Sequence, residues 1–175
     1  MLRIINILLL TAFFSLTVSM NYGQDSYPQV KFDAKITSVE EQGSRLDVVK
    51  IFISVDGQLK DSIITQNGRM FYQLDTGKVY KFEFTKSGYV SKHLIVSTKE
   101  APENVKNNSK LKVEVSLFKY KPGLEVDFLK TKPIGVARYN DMNGKLEWNK
   151  DYTRSIIEQI ITATLDLYNK TNTDE

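Results

Sequence analysis

His93 is the single histidine of the chain, and a histidine-based metal site or a Ser-His-Asp triad would have to be built around it. It has the opposite strand parity to Leu94 and Val96, which predicts a solvent-facing position on a strand. The chain contains no cysteine, which excludes disulfides and thiolate chemistry. No G-x-S-x-G elbow, phosphate-binding glycine loop or H-E-x-x-H motif is present. We therefore predict a protein that is not an enzyme and that holds no metal and no cofactor.

Two short polar patterns could also carry chemistry, and each has a simpler interpretation. Asp141 and Asn143 before Gly144 resemble part of a calcium loop, but the acid that closes such a loop would fall at Lys150. Turn formation accounts for the Asn-Gly pair without an ion, so we predict a turn. Asp61-Ser62-Ile63 resembles a short O-glycosylation signal of some Gram-negative envelopes. A pattern of three residues often arises by chance, and its modification stays open.

Aromatic side chains at outward strand positions are a further group of candidates. Phe52 and Phe71 each lie opposite the apolar face of their own strand. Exposed aromatic rings lower solubility unless something covers them or they bind a partner. Tyr139 and Trp148 could instead form a stacking platform for a sugar or another small ligand. Burial of Trp148 beside a helix explains that residue equally well.

Residues 1–23 have the layout of a secretory signal peptide. A short start with Arg3 precedes an apolar run over 4–16, and small polar residues follow up to Gly23. The run of about 13 residues is shorter than the roughly 20 that a membrane-spanning helix needs, so we predict cleavage near Gly23 and no stable membrane span. Export without disulfides is typical of bacteria rather than eukaryotes. An extracytoplasmic location follows, with the periplasm favoured over the cell surface or secretion.

The stretch 68–89 gives the clearest indication of the fold. Apolar and polar residues alternate over 69–74 and again over 80–85, which is the period of half-buried strands. The turn 75–78 lies between them, and we predict a β-hairpin. Further alternating strands over residues 28–120, with turn signals at Asp56-Gly57 and Asn67-Gly68, predict a mainly β protein. Its core would be an antiparallel β-sandwich of about seven strands.

Several residues of this stretch resemble those of a known family. A glycine before the first strand, the turn Thr76-Gly77-Lys78, the aromatic strand and the closing Gly88-Tyr89 are similar in order and spacing to the carboxypeptidase regulatory-like domain. This domain is a small transthyretin-like (prealbumin-like) β-sandwich, and the resemblance covers roughly residues 30–120. In place of the family's glycine-rich first turn the chain has residues 41–47. The resemblance implies a non-catalytic accessory or interaction module of secreted and envelope proteins.

Residues 121–175 form a predicted C-terminal extension. A small hairpin would turn at 140–144, and one amphipathic helix would run from about 151 to 170 with Asp151 as its N-cap. Its apolar face needs cover, and we predict that it packs over Phe52 or Phe71. The residues of the resulting interaction face are Phe52, Phe71, Ile156, Ile157, Ile160, Ile161 and Tyr168.

These features together predict an exported, non-catalytic structural or interaction module of the bacterial cell envelope. It would act as an accessory or adaptor component of a larger assembly and bind an envelope protein partner. The alternative is a module that binds a carbohydrate or another small ligand. The net charge of +3 comes from lysines spaced singly along the chain rather than clustered on one element, so we predict no nucleic-acid partner.

Overall fold

Alternation of apolar and polar residues produces nine strands in the computed structural model, which describes residues 29–101, 110–140 and 142–173. One short 3-10 helix and one long α-helix, α1, accompany them. The elements are β1 (Gln29–Ser38), β2 (Val49–Val55), β3 (Gln58–Thr65), β4 (Arg69–Asp75), β5 (Val79–Thr85), β6 (Lys92–Ser97), β7 (Lys110–Leu117), the 3-10 helix (Asp127–Lys130), β8 (Gly135–Asn140), β9 (Lys145–Trp148) and α1 (Lys150–Thr173).

The strands form two sheets that face each other. Sheet A has the strand order β4-β1-β7, and sheet B has the order β3-β2-β5-β6-β8-β9. The predicted mainly β sandwich with a small C-terminal hairpin and one C-terminal helix is confirmed. Five of the seven pairings between described strands are antiparallel as expected, whereas β1–β7 and β6–β8 are parallel. β7 and β8 reach their partners through long connections rather than tight turns, which permits this direction.

The hairpin predicted over 68–89 is wrong. β4 belongs to sheet A and β5 to sheet B, so the turn between them carries the chain from one sheet to the other. The apolar faces of the two strands pack against each other across the sandwich instead of lying side by side. The Tyr80 hydroxyl fixes this crossing by accepting a hydrogen bond of 2.8 Å from the amide of Asp75.

Gly68 lies at the second crossing between the sheets, from β3 to β4, where a hairpin turn was also predicted. Its φ is +60°, and a Cβ atom would lie 2.6 Å from the carbonyl oxygen of Ile36 and 2.9 Å from the amide nitrogen of Leu46. Its own carbonyl accepts a 2.7 Å hydrogen bond from the amide of Ile36. Glycine is required here because the backbone of β1 passes too close for any side chain.

Aromatic rings fill the centre of the sandwich. Phe32 of sheet A stacks on Phe82 of sheet B with ring centroids 4.4 Å apart, and Tyr72 meets the same ring edge-on at 5.8 Å. The buried aliphatic residues of both sheets surround these rings. Every apolar position predicted to face inward on β1, β4 and β5 is buried or half-buried. The period-2 pattern therefore identified the inner face of these three strands correctly.

The C-terminal hairpin continues sheet B. β9 pairs with β8 in the hairpin that the predicted turn at 140–144 requires. β8 also pairs with β6, which the sequence did not predict. Helix α1 is longer than predicted, because it extends to Thr173. No helix in the described ranges is both long and apolar enough to cross a membrane. The predicted signal peptide, residues 1–23, lies outside the described residues, and the predicted boundary between 120 and 121 stays a prediction.

Candidate functional site: a groove beside the C-terminal helix

Helix α1 begins at a cap that differs from the predicted one. The side chain of Asn149, not Asp151, accepts a 3.0 Å hydrogen bond from the amide of Tyr152. Asn149 therefore occupies the N-cap, and Asp151 lies in the first turn, where its carboxylate pairs with Arg154. The cap directly follows β9, so it fixes where the helix leaves the sandwich.

The helix packs on a small second core rather than on Phe52 or Phe71. Its buried Ile156 contacts a cluster formed by the end of β7 and the connection that follows it. This segment lies between β7 and β8 and supplies apolar residues that sequence reasoning did not assign to a core. The cluster consists of Phe118, Leu124, Val126, Leu129 and Ile156, with Val90, Phe128, Ile134, Tyr152, Ile160 and Ala163 packed around it.

Only half of the predicted apolar helix face is buried by this packing. Ile156 is buried and Ile160 is half-buried, but Ile157, Ile161 and Leu165 are 49%, 52% and 55% exposed. Leu165 was missed, although it lies four residues after Ile161 on the same face. The side chain of Tyr168 lies outside the described residues.

Two cavities lie along this exposed side of the helix, and we call them together the α1 groove. One of about 710 Å³ lies between α1 and the edge of β7, and one of about 850 Å³ lies between α1 and the segment that follows β7. They share Lys92, Ile157 and Ile160 as lining residues, so they adjoin. The remaining apolar lining residues are Leu94, Val113, Ile134, Trp148 and Ile156 in the first, and Val39, Phe118, Pro122, Leu124, Ile161 and Leu165 in the second.

Lys92 is a buried cation between the two sheets at the base of the groove. It is only 6% exposed, and its Nζ donates a 2.6 Å hydrogen bond to the backbone carbonyl of Ser116 on β7. The same Nζ lies 4.4 Å from the ring centroid of Phe118, a cation–π distance. Burial lowers the pKa of Lys92 to about 8, against a weaker opposing effect of the Glu40 carboxylate. Lys92 lies two residues before Leu94 and therefore on the same, inward face of β6. This alternation could have predicted a buried Lys92 from the sequence.

Tyr139 and Trp148, the predicted ligand platform, both line a cavity of about 680 Å³ beside the β8–β9 hairpin, although neither side chain is fully exposed there. Tyr139 is only 5% exposed because it points into the core of the sandwich. Trp148 is half-buried against that core, and its indole Nε1 donates a 2.8 Å hydrogen bond to the carbonyl of Lys112 on β7. The indole is therefore hydrogen-bonded to the edge strand β7 and lines the adjacent groove.

Phe52 and Phe71, two other predicted interaction residues, lie on the outer faces of the sheets and each ring has a cation beside it. The Lys50 Nζ lies 4.5 Å from the Phe52 ring centroid. Arg69 and Lys110 approach the exposed Phe71 ring at 5.0 and 5.9 Å. The predicted cover by the helix is therefore wrong for both rings: Phe52 is half-buried and Phe71 remains 60% exposed.

His93 is buried, which corrects the predicted surface position. The 3-10 helix packs over this part of β6 and leaves His93 only 6% exposed. Burial lowers the pKa of His93, and the neighbouring Lys81 lowers it further against the opposing effect of Glu83. Among the described residues, no three His, Asp or Glu side chains converge as cation ligands.

The two short polar patterns lie at the surface. Ser62 is exposed on the edge strand β3, and its amide donates a 2.7 Å hydrogen bond to the Asp61 carboxylate. At the β8–β9 turn, the amide of Gly144 donates to the Asn140 carbonyl at 2.8 Å, and the Asn143 side-chain amide donates to the Glu147 carboxylate at 2.9 Å. Asp141 lies outside the described residues.

No protein-family model and no curated protein sequence matches the chain. Among solved structures, it is similar to 3-chlorocatechol 1,2-dioxygenase from Rhodococcus opacus 1CP, with 13% identity and a TM-score of 0.42 over 56% of this chain and 62% of that one. Catechol 1,2-dioxygenase from Acinetobacter sp. ADP1 matches with 13% identity and a TM-score of 0.40 over 58% and 56% of the two chains. The pilus adhesin SpaC from Lactobacillus rhamnosus GG matches with 13% identity and a TM-score of 0.39 over 54% of this chain and 15% of the adhesin. The chain thus spans less than two thirds of each of these proteins, and similarity at this level carries no argument about activity, ligand or partner.

Proposed function

We propose that this chain is an exported, non-catalytic interaction module of the bacterial envelope that joins a larger assembly by binding a protein partner in the α1 groove. The observation that carries the proposal is the row Ile157, Ile161 and Leu165, about half exposed beside an apolar groove. A surface helix normally presents polar residues to solvent, and a contiguous apolar patch indicates a binding surface. The resemblance to the carboxypeptidase regulatory-like domain, with its non-catalytic role, supports the same proposal.

The shape of the groove suits recognition by apolar anchors. A partner segment that lies beside α1 can place side chains against Ile157 and Ile161, as helix-in-groove complexes do with anchors three or four residues apart. Lys119 and Lys121 border the same groove and would add polar contacts at its rim. The face is therefore amphipathic, as expected for a reversible interface.

A cross-linked pull-down from the native envelope tests the proposal. We expect the wild-type protein to retain one defined protein and the Ile157→Asp/Ile161→Asp double variant to lose it, since two charges in the groove would oppose apolar contact. The matched control is Leu59→Asp/Ile64→Asp, because both residues are as exposed as the groove pair but lie on edge strand β3. Retention of the partner by the groove variant, or its loss from both variants, would contradict docking at α1.

Export has a separate test. Fractionation of cells expressing the full chain should place the protein outside the cytoplasm, and N-terminal sequencing should give a start near Gln24. A chain that starts at Gln24 behind a new initiator methionine should stay in the cytoplasm. Recovery of the full-length form in the cytoplasmic fraction would refute the proposed location.

Binding of a small ligand is the second candidate function, and one observation favours it. The two cavities of the groove each fall in the range of roughly 300–1,000 Å³ that is typical of small-molecule sites, and the buried Lys92 lines both of them. A mainly apolar lining with a few placed polar groups is the usual composition of such a site. Tyr139 and Trp148 are less suited to the carbohydrate stacking first considered, because Tyr139 is buried.

A further inference from the structure

We propose that the α1 groove binds a free fatty acid, whose carboxylate pairs with the Lys92 ammonium while its hydrocarbon chain lies along α1 towards Leu165. The inference rests on the second candidate function, for which it names the ligand class. It does not require that a protein partner exists.

The first argument is the incomplete pairing of the Lys92 ammonium. An ammonium has three N–H donors, and among the described residues the Ser116 carbonyl is its one hydrogen-bond acceptor. The Phe118 ring offers a second, weaker contact at 4.4 Å. A buried charge is costly unless it is paired and hydrogen-bonded, so an anionic group entering the groove would find an ammonium with a donor to spare.

Glu40 is the acid that acts most on Lys92, and it does not complete this pairing. Its carboxylate is committed to other donors, because one oxygen accepts a 2.7 Å hydrogen bond from the Lys119 amide and the other a 3.2 Å bond from the Ser38 hydroxyl. It therefore lowers the cost of the buried charge from a distance without being hydrogen-bonded to it.

The second argument is the length and lining of the groove. The α1 residues that line the two cavities run from Lys150 to Leu165, about 22 Å along the helix axis at about 1.5 Å per residue. From Ile157, which lines both cavities as Lys92 does, to Leu165 the distance along the axis is about 12 Å. Lys92 borders both cavities, so a head group placed there has apolar lining beside it. An apolar lining with a buried cation at its base fits a linear hydrocarbon with one acidic head group.

Charge at the groove favours an anionic amphiphile over a cationic one. The titratable side chains that line it come from the connection after β1, from β6 and β7, from the segment after β7, and from α1. The acids are Glu40, Glu114 and Glu158, and the bases are Lys92, Lys112, Lys119, Lys121, Lys150 and Arg154. Because the bases outnumber the acids, the groove attracts a carboxylate.

Isothermal titration of the purified protein with dodecanoate and with dodecan-1-ol at pH 7 tests the head-group contact. The two ligands share one hydrocarbon chain, so the ratio of their affinities isolates the carboxylate. We expect dodecanoate to bind at least tenfold more tightly, and tetradecanoate to bind roughly tenfold more tightly still because it buries two more methylene groups. Lys92→Met should bind both dodecyl ligands equally, whereas the control Lys60→Met, on the exposed face of β3, should keep the preference.

The pH dependence of wild-type binding keeps the test decisive if Lys92→Met does not fold. The preference for dodecanoate should fall as the pH rises past the pKa of the Lys92 amine, which burial lowers to about 8 and which a bound carboxylate would raise. The affinity for dodecan-1-ol should not change over the same range. A constant preference up to pH 10 would remove Lys92 from the site.

Three further results would overturn the inference. They are no binding of dodecanoate, equal affinity of the wild-type protein for both head groups, and flotation with phosphatidylglycerol vesicles without uptake of free dodecanoate. The last result would assign the groove to a membrane surface. Failure of the wild-type protein to retain any protein partner in the pull-down, with dodecanoate binding intact, would instead contradict only the docking proposal.

Discussion

The chain buries charge in two different ways, and each has a measurable consequence. Asp33, on the outer face of sheet A, is buried between Arg69 and Lys110, which approach its carboxylate at 3.2 and 2.9 Å. Lys92, between the sheets, has a neutral carbonyl and an aromatic ring as its direct contacts. The carboxylate is therefore held in its charged form, whereas the amine is pushed towards its neutral form.

Asp33→Asn should lower the free energy of unfolding by about 1–3 kcal/mol, because it weakens three charge-assisted hydrogen bonds, two from Arg69 and one from Lys110. Burial alone would raise the pKa of Asp33, but the hydrogen bonds from Arg69 and Lys110 outweigh it and keep the pKa below its usual value. The carboxylate thus stabilises the fold above the ordinary pKa of aspartate, and this contribution is lost as the pH falls through the lowered folded-state pKa.

Urea unfolding at pH 7 and at successively lower pH measures this effect. The difference between wild type and Asp33→Asn should shrink on acidification. Asp61→Asn, at an exposed position on β3, is the control and should change stability by less than about 0.5 kcal/mol. A difference that grew with acidity would show that the carboxylate is not stabilised as described.

The free energy of unfolding of the wild-type protein should rise with pH above about 8, and Lys92→Met should abolish this rise. The pKa of Lys92 is about 8 in the folded protein and has its ordinary, higher value in the unfolded chain, so between these values the unfolded state binds more protons. The wild-type free energy of unfolding should therefore rise between pH 8 and 9.5 relative to the variant. Above about pH 10 the raised pKa of Tyr80, about 12, acts in the opposite direction. Denaturant unfolding series over this range check the slope, and parallel curves would be evidence against a lowered pKa.

At the scale of elements, the sequence predicted the secondary structure of each segment more reliably than its strand pairing. The alternation in β4 and β5 identified both strands, but a two-residue period does not distinguish a hairpin from a crossing between sheets. Two hydrogen bonds fix the crossing: the Asp75 amide donates to the Tyr80 hydroxyl, and the Gly77 amide donates to the Thr98 carbonyl. Both form only in the assembled fold, so the alternation pattern could not reveal them.

The N-cap of α1 gives an element-scale prediction that separates two neighbouring residues. Asn149→Ala should lower the free energy of unfolding by about 0.5–2 kcal/mol, because it leaves the Tyr152 amide without its cap. Asp151→Ala is the matched variant. It should lower the free energy of unfolding by less, because it loses only an exposed ion pair and a favourable interaction with the helix dipole. Thermal unfolding of both variants checks the order, and a larger loss from Asp151→Ala would restore the original N-cap prediction.

Gly68 tests the crossing between the sheets. Gly68→Ala should destabilise by more than about 3 kcal/mol or prevent folding, since its Cβ would clash with two backbone atoms. Gly144→Ala has a nearly identical φ, +62°, but nothing within 4 Å of the new Cβ. It should cost only about 1–2 kcal/mol of backbone strain. Equal losses in the two variants, measured by urea unfolding, would mean that φ alone matters at Gly68.

At the scale of the whole molecule, the sandwich and the helix were predictable, but the groove was not. Helical periodicity grouped Ile156, Ile157, Ile160 and Ile161 on one face. It could not show that the second core covers Ile156 while leaving Ile157 and Ile161 exposed, because that core comes from an irregular segment without a periodic pattern. The position of Lys92 below the groove likewise follows from the packing of α1 across the gap between the sheets.

The central claim is that the α1 groove is where the protein meets its partner, and site-specific photo-cross-linking in the native envelope tests it most directly. A photoreactive benzoylphenylalanine would replace Ile161 in one variant and the similarly exposed Leu59 of β3 in another. We predict one defined protein adduct from position 161 and none from position 59. No adduct from position 161, or the same adduct from both positions, would contradict the claim.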